Sequence, residues 1–386
     1  MTESTRRRVD WIDAGRGVSM VLVTIYHVMF VVGAVLGDHS GVWPVIDEAL
    51  APLRMPLFFF ISGMLAERAV RRPLRLTRRR TIGLAYLYVL WSVIQLLHLL
   101  YSVRGRGDPF PESYDIVASF LFPTGLWFFW ALGLYFLLSH FLIRWMGRWS
   151  RWGVIPLLGV AMLAPIVEDL TRGSVSTLFG SVFFGAVCAN FVWFYAALHL
   201  RAAVVRLVEG ASWAWTILAV STFLLLTLLA SAAGVTSEIR WLLSVSALLA
   251  AFLVLGRGRY QGRVAQSLVA VGRRTLPIYA LQWVALHLLA KAIVETPWLS
   301  SLGPADLVST VATPAFALVI VAVTWWVGGA LLSSPLRWLF VAPTWMVGST
   351  PSDRSSGIES PTKEPGRRRG WGDRARAVRR NRRKRL

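Results

Sequence analysis

Cysteine and acidic residues are scarce in this sequence of 386 residues. Its one cysteine, Cys188, leaves no internal disulfide to form, and no Cys-x-x-Cys motif offers metal or redox chemistry. A Walker A motif, an HExxH pair and a GxSxG motif are also missing from the sequence. These gaps argue against an ATP-driven pump, a zinc protease and an α/β-hydrolase, and we expect no metal site.

Charged residues make up only 16% of the chain, whereas 55% is hydrophobic. Apolar segments long enough to cross a bilayer, or nearly so, lie at 17–37, 49–66, 81–102, 126–145, 153–168, 178–200, 213–233, 239–256, 275–293 and 308–332. Acidic residues are rare inside them, which argues against transport coupled to protons or sodium. We predict an all-α polytopic transmembrane bundle of about ten helices.

The basic residues are distributed unevenly between the connections. The N-terminal arm, alternate connections and the C-terminal tail hold 35 of the 41 Lys and Arg residues. By the positive-inside rule, both termini lie in the cytoplasm of a multi-pass protein of the plasma (inner) membrane. We expect a cytoplasmic arm over 1–16, whose basic leader precedes a retained first span, and a transmembrane domain over 17–340.

Residues 341–386 form a Ser-, Pro-, Gly- and Arg-rich tail, which we predict to be disordered. Its arginine runs favour attachment to anionic membrane lipids. Nucleic-acid binding is the alternative for the tail, although we expect no specific nucleic-acid partner.

Two ionisable residues occupy one face of the first apolar segment. Arg16 and His27 are eleven residues apart, close to three helical turns and roughly 16 Å along the axis. His27 lies near mid-bilayer, where an ionisable residue is a functional-site hypothesis. A neutral imidazole there can act as a general base toward a hydroxyl, and the alternative is a histidine that only bonds a neighbouring helix. Asp13 shares this face.

The connection after the second segment is rich in arginine. Arg72, Arg75 and Arg78 form two overlapping Arg-x-x-Arg runs. Guanidinium groups bind phosphates bidentately, so this loop can hold a nucleotide-bearing donor such as coenzyme A, whereas topology alone is the alternative. If it does, the loop and His27 should open onto one continuous cavity.

Four further polar residues are candidates to orient an acceptor or support an oxyanion. Ser62 follows a Pro-containing apolar run and precedes Gly63, a pattern that serves either helix packing or a cavity. Tyr279 and Gln282 are three apart on one helical face, where they bind a ligand or join helices. Tyr26 adjoins His27.

Several motifs occur in the order typical of a known family. They are Trp11-Ile-Asp-x-x-Arg-Gly17, Arg-x10-His, Met-Pro-Leu-Phe-Phe-Phe-Ile-Ser-Gly, Arg-x-x-Arg, Leu-Trp-Phe-Phe-Trp-Ala-Leu and Thr-Leu-Pro-Ile-Tyr. Over residues 9–340 the chain resembles the acyltransferase 3 family of membrane O-acyltransferases, and most closely the fucose 4-O-acetylase-like branch.

The resemblance implies a ten-helix enzyme that moves an acyl group, by default acetyl, from cytoplasmic acyl-CoA to a hydroxyl of a cell-envelope glycan or lipid-linked sugar. It implies that His27 is catalytic, as general base or as the site of an acyl-imidazole, and that Arg16, Arg72 and Arg75 contact coenzyme A. A glycolipid flippase or transporter is the competing function, and a scaffold with a partner-recruiting tail is a third.

Two positions depart from the family pattern. Arg54 stands where fucose acetylase-like proteins commonly have the histidine of His-Met-Pro, and Gln282 stands where many relatives have a histidine. The resemblance therefore does not carry over the class of acceptor.

Overall fold

A computed structural model describes residues 3–36, 42–106, 126–171, 181–258, 260–296 and 305–347. Every regular element in these ranges is helical. The helices are α1 (Glu3–Leu36), α2 (Val42–Val70), α3 (Arg78–Arg106), α4 (Trp127–Met146), α5 (Val154–Thr171), α6 (Ser181–Gly210), α7 (Trp213–Ala233), α8 (Arg240–Arg257), α9 (Arg263–Arg273), α10 (Thr275–Val294), α11 (Ala305–Leu332) and α12 (Thr344–Val347).

The prediction of an all-α transmembrane bundle is confirmed, and each of the ten predicted segments overlaps one long helix. Within the described ranges, nine stretches are long and apolar enough to cross a membrane. One of them, Trp127–Ile166, has 40 residues, about twice what a bilayer needs. It contains both α4 and α5, which are separated by a 3-10 segment that begins at Gly147 with a φ of 52°.

Of the tail predicted to be disordered over 341–386, residues 341–347 are described and include α12, whereas residues from 348 onward lie outside the described residues. The segment 71–77 between α2 and α3 holds Arg72 and Arg75 of the predicted arginine loop, whereas Arg78 is the first residue of α3. We call the end of the bundle at this segment the arginine-rich end. Helices α1 and α10 begin at this end, whereas α2 ends there, which sets the direction of three of the helices that line the site.

Helix α1 packs backbone to backbone against the short amphipathic helix α9. A Cβ atom placed on Gly272 would lie 1.7 Å from the carbonyl oxygen of Asp13, and one on Gly17 would lie 2.1 Å from that of Leu268. Arg273 donates to Asp10 at 2.9 Å and to Asp13 at 3.0 Å. Helix α9 is therefore fixed against the first turns of α1, just before Arg16.

The Ser62-Gly63 pair lies in the contact between α2 and α6. A Cβ atom on Gly63 would be 2.2 Å from the carbonyl oxygen of Phe194, so only glycine allows this approach. Ser62 is buried beside it. This pair serves helix packing, which was one of the two interpretations of the sequence pattern.

Candidate active site

The first and tenth helices join two motifs that are more than 250 residues apart in the chain. Near the arginine-rich end, Arg16 Nη2 donates to Thr275 Oγ1 at 2.6 Å. Further along the same pair of helices, Gln282 Nε2 lies 3.0 Å from His27 Nδ1. Both members of the Arg-x10-His motif are thus held by the helix that starts with Thr-Leu-Pro-Ile-Tyr.

His27 lies in the wall of a cavity of about 740 Å³ enclosed by seven helices. Along α1 the cavity runs from Met20 to Phe30, and α8 contributes its first turn. It therefore occupies the half of the bundle away from the arginine-rich end. Its polar lining consists of Tyr26, His27, Arg54, Asn190, Arg240, Ser244 and Tyr279. Aromatic side chains supply much of the remainder, which suits an amphipathic ligand such as a sugar.

Arg54 belongs to this site, although the sequence pattern did not identify it as a site residue. Its guanidinium group pairs with Asp47 and lies 4.0 Å from the centre of the Tyr26 ring. Tyr26 immediately precedes His27 in the chain. An arginine this far inside an apolar helix was itself a signal, because an intramembrane charge needs a partner or a function. Here the partner comes from the same helix, two turns earlier.

Arg16 and Arg80 lie together on the other side of His27. The two guanidinium groups are close enough to repel each other, and Arg80 also donates to the Leu65 carbonyl at 3.4 Å. Two neighbouring half-buried arginines form a site suited to an anion. Arg80 lies two residues after the last arginine of the predicted Arg-x-x-Arg runs, and only the packing of α3 against the bundle distinguishes it from the neighbouring arginines.

The predicted donor-binding arginines of the loop are placed differently. Arg72 and Arg75 are exposed, and the side chain of Arg78 lies outside the described residues. No loop arginine with a described side chain lines the cavity that contains His27. The expected continuous cavity is therefore interrupted in the described residues, by an apolar layer around Met20, which is only 2% exposed.

Of the other predicted site residues, some line the cavity and some lie outside it. Tyr26 and Tyr279 line the cavity, and Tyr279 packs edge-on against Phe128 at 5.2 Å between ring centres. Asp13 binds Arg273 and lies 3.9 Å from Arg16, at the arginine-rich end. Ser62 is not among the residues that line the cavity.

One orientation of the Gln282 carboxamide leaves Nε2 of His27 able to act as a base. As placed, the amide nitrogen faces Nδ1, and Oε1 is buried with no hydrogen-bond partner among the described residues. Turning the carboxamide by half a rotation lets Oε1 accept the Nδ1 proton, which the two similar ends of the amide permit. Nε2 is then unprotonated and is the nitrogen left for the cavity.

Together the spans, the half-buried His27 and its cavity define an integral multi-pass membrane protein with an internal polar site. The sequence profile of a family described as an acyltransferase domain matches residues 9–333. The chain therefore belongs to the acyltransferase 3 family, which supports a transferase role and confirms the family seen in the motifs. No curated protein and no solved structure matches the chain. The fucose 4-O-acetylase-like branch stays a prediction.

Proposed function

We propose that this protein moves an acyl group, by default acetyl, from acyl-CoA to a hydroxyl of a cell-envelope glycan or lipid-linked sugar. The observation that carries this proposal is the position of His27. It lies between a pair of arginines at one end of the bundle and an aromatic cavity in the other half. With a base such as His27 between an anion site and a cavity large enough for a sugar, an acyl group can pass between two substrates that arrive from opposite sides.

The charge distribution supports an inside donor and an outside acceptor. If the arginine-rich end faces the cytoplasm, both termini lie there in the plasma membrane, as does Arg16. The phosphates of acyl-CoA would bind Arg16 and Arg80 with the loop residues Arg72, Arg75 and Arg78, and the basic tail would bind anionic lipids.

The donor arm would reach His27 through the apolar layer around Met20. Met20 belongs to a buried apolar cluster, against which Met55 and Tyr279 pack. Methionine side chains are flexible and fill irregular gaps, so a narrow acyl-pantetheine arm can displace them without moving a helix. The roughly 16 Å from Arg16 to His27 along α1 is the distance that this arm has to cover.

The reaction follows from an unprotonated Nε2 on His27. This nitrogen removes the proton of the acceptor hydroxyl as the oxygen attacks the thioester carbonyl carbon. The carbon–sulfur bond then breaks, the acyl group stays on the oxygen, and the imidazolium returns the proton to the coenzyme A thiolate. Tyr279 and Tyr26, which line the same cavity, are candidates to hold the oxyanion or the acceptor.

Gln282 has a positioning role in this mechanism, because it fixes the His27 tautomer. Replacement of Gln282 by Leu should lower kcat about 10- to 100-fold, as losses of such supporting hydrogen bonds do at other histidine sites. Gln282→Glu keeps an acceptor for the Nδ1 proton and should retain more activity than Gln282→Leu. The measurement is the steady-state rate of coenzyme A release in the presence of acceptor, together with its pH profile. Equal rates for both variants and the wild type would contradict this role.

The donor site is tested by coenzyme A binding to the purified protein. Arg16→Gln should raise the Kd for coenzyme A about tenfold, the loss expected for one charge-assisted hydrogen bond. Arg206→Gln removes an exposed arginine whose hydrogen bond within the described part of the chain is to the Ala202 carbonyl of its own helix, and should leave the Kd unchanged. Calorimetric titration in detergent measures both. Equal affinities for all three proteins would contradict an anion site at Arg16.

The whole proposal is tested by mass spectrometry of cell-envelope glycans. Strains with the wild-type gene, with His27→Gln and without the gene are compared. We expect an acetyl-sized mass in the wild type that is missing from the other two strains. A glycan profile without any change in acyl groups would favour the flippase instead.

A further inference from the structure

The end of the bundle away from the arginine-rich end has few cations. By sequence, only six of the 41 basic residues fall in its connections and adjoining turns, and two of these six, Arg54 and Arg240, line the cavity of His27. Topology does not explain a concentration of positive charge here, because the positive-inside rule depletes this end of arginine.

The two cavity arginines are only partly compensated. Arg54 has Asp47 as its partner, whereas the structure gives Arg240 no carboxylate partner among the described residues. No Asp or Glu is among the described residues that line the cavity. Arg240 is close enough to repel Arg54, and an anion between two guanidinium groups relieves such repulsion.

The surrounding surface is suited to a sugar. Trp127, Trp193 and Trp241 line the same cavity and offer apolar ring faces. Asn190 donates its amide to the Ala186 carbonyl at 2.8 Å, which leaves its side-chain oxygen available for a hydroxyl donor. A cavity that combines aromatic faces, a few polar groups and the two cations Arg54 and Arg240 favours an anionic carbohydrate over a neutral one.

Building on the proposed function, we propose that the acceptor is an anionic sugar, whose carboxylate or phosphate binds between Arg54 and Arg240 while its hydroxyl faces His27. This arrangement uses Arg240 to attract and orient the acceptor, and leaves the proton transfer to His27. Arg240 is therefore a specificity residue rather than a catalytic one. Its charge should act on the KM for the acceptor and leave kcat nearly unchanged.

The experiment uses the purified full-length protein in nanodiscs, acetyl-CoA, and envelope glycan isolated from the strain without the gene. Arg240→Gln should raise the acceptor KM about fivefold with little change in kcat, as expected for an exposed ionic contact. Arg240→Lys keeps the charge and should restore most of the affinity. Lys291→Gln removes a cation near the far end of α10, outside the cavity lining, and should have no effect.

Chemical treatment of the glycan distinguishes the two sources of charge. Carbodiimide reduction removes carboxylates, and mild acid removes a lipid diphosphate, so the treatment that raises the KM identifies the anion. Acyl transfer that is insensitive to both treatments and to Arg240→Gln overturns the anionic acceptor and leaves the proposed function standing. If no glycan is acylated by the wild-type protein, the proposed function itself fails and the inference falls with it.

Discussion

Replacement of His27 by Gln is expected to reduce acyl transfer about 100- to 10,000-fold, the usual contribution of a general base. Glutamine preserves much of the volume of histidine and can still hydrogen-bond Gln282, but it cannot take a proton from the acceptor hydroxyl. Because His27 borders a cavity, the change should cost little stability. The measurement is acyl transfer from acetyl-CoA to isolated envelope glycan.

His287→Gln is the matched control for this variant. His287 is an exposed histidine on α10, five residues beyond Gln282, and it is not among the cavity-lining residues. Its replacement should leave the transfer rate at the wild-type level, while size-exclusion profiles and thermal unfolding show both variants to be folded. A His27→Gln protein that keeps more than about a tenth of the activity would refute the general-base role.

Replacement of Gly272 by Ala is expected to destabilise the protein by about 3 kcal/mol or more, because both clashing partners belong to helix backbones. The new Cβ would lie 1.7 Å from the Asp13 carbonyl oxygen, and no rotamer change can relieve this overlap. Helices α1 and α9 must separate, which also breaks the Arg273 bonds to Asp10 and Asp13. Thermal unfolding in detergent measures the loss, together with the yield of monodisperse protein.

The same substitution at Gly133 should have the opposite sign. Gly133 lies within α4, and a Cβ atom there meets nothing within 4 Å. Alanine favours the helix over glycine by about 0.5–1 kcal/mol, so Gly133→Ala should be neutral or stabilising. A Gly272→Ala protein that unfolds at the wild-type temperature would show that α1 and α9 do not touch at their backbones.

Much of the fold could be predicted from the sequence, because apolar length and helical period are local properties. The ten segments overlap ten helices, and the eleven-residue spacing places Arg16 and His27 on one helical face. The motifs gave the family. The break between α4 and α5 was also visible, since a 40-residue apolar stretch is too long for one span.

The partners of these residues depend on contacts between distant segments, which spacing does not encode. Thr275 and Gln282 were visible as a motif, but only the packing of α1 on α10 places them against Arg16 and His27. Likewise, only the bundle places Arg54 and Arg240 in one cavity.

The helices and the family could be predicted without a structure, because both follow from local pattern and motif. Which arginines lie on each side of His27 could be read only from the packed bundle, because helix packing brings a few of the many charges close to it. The loop arginines Arg72 and Arg75 are exposed, whereas Arg80 lies beside Arg16 and Arg54 beside Tyr26. In a chain with 41 basic residues, this selection depends on three-dimensional proximity, which the sequence does not give.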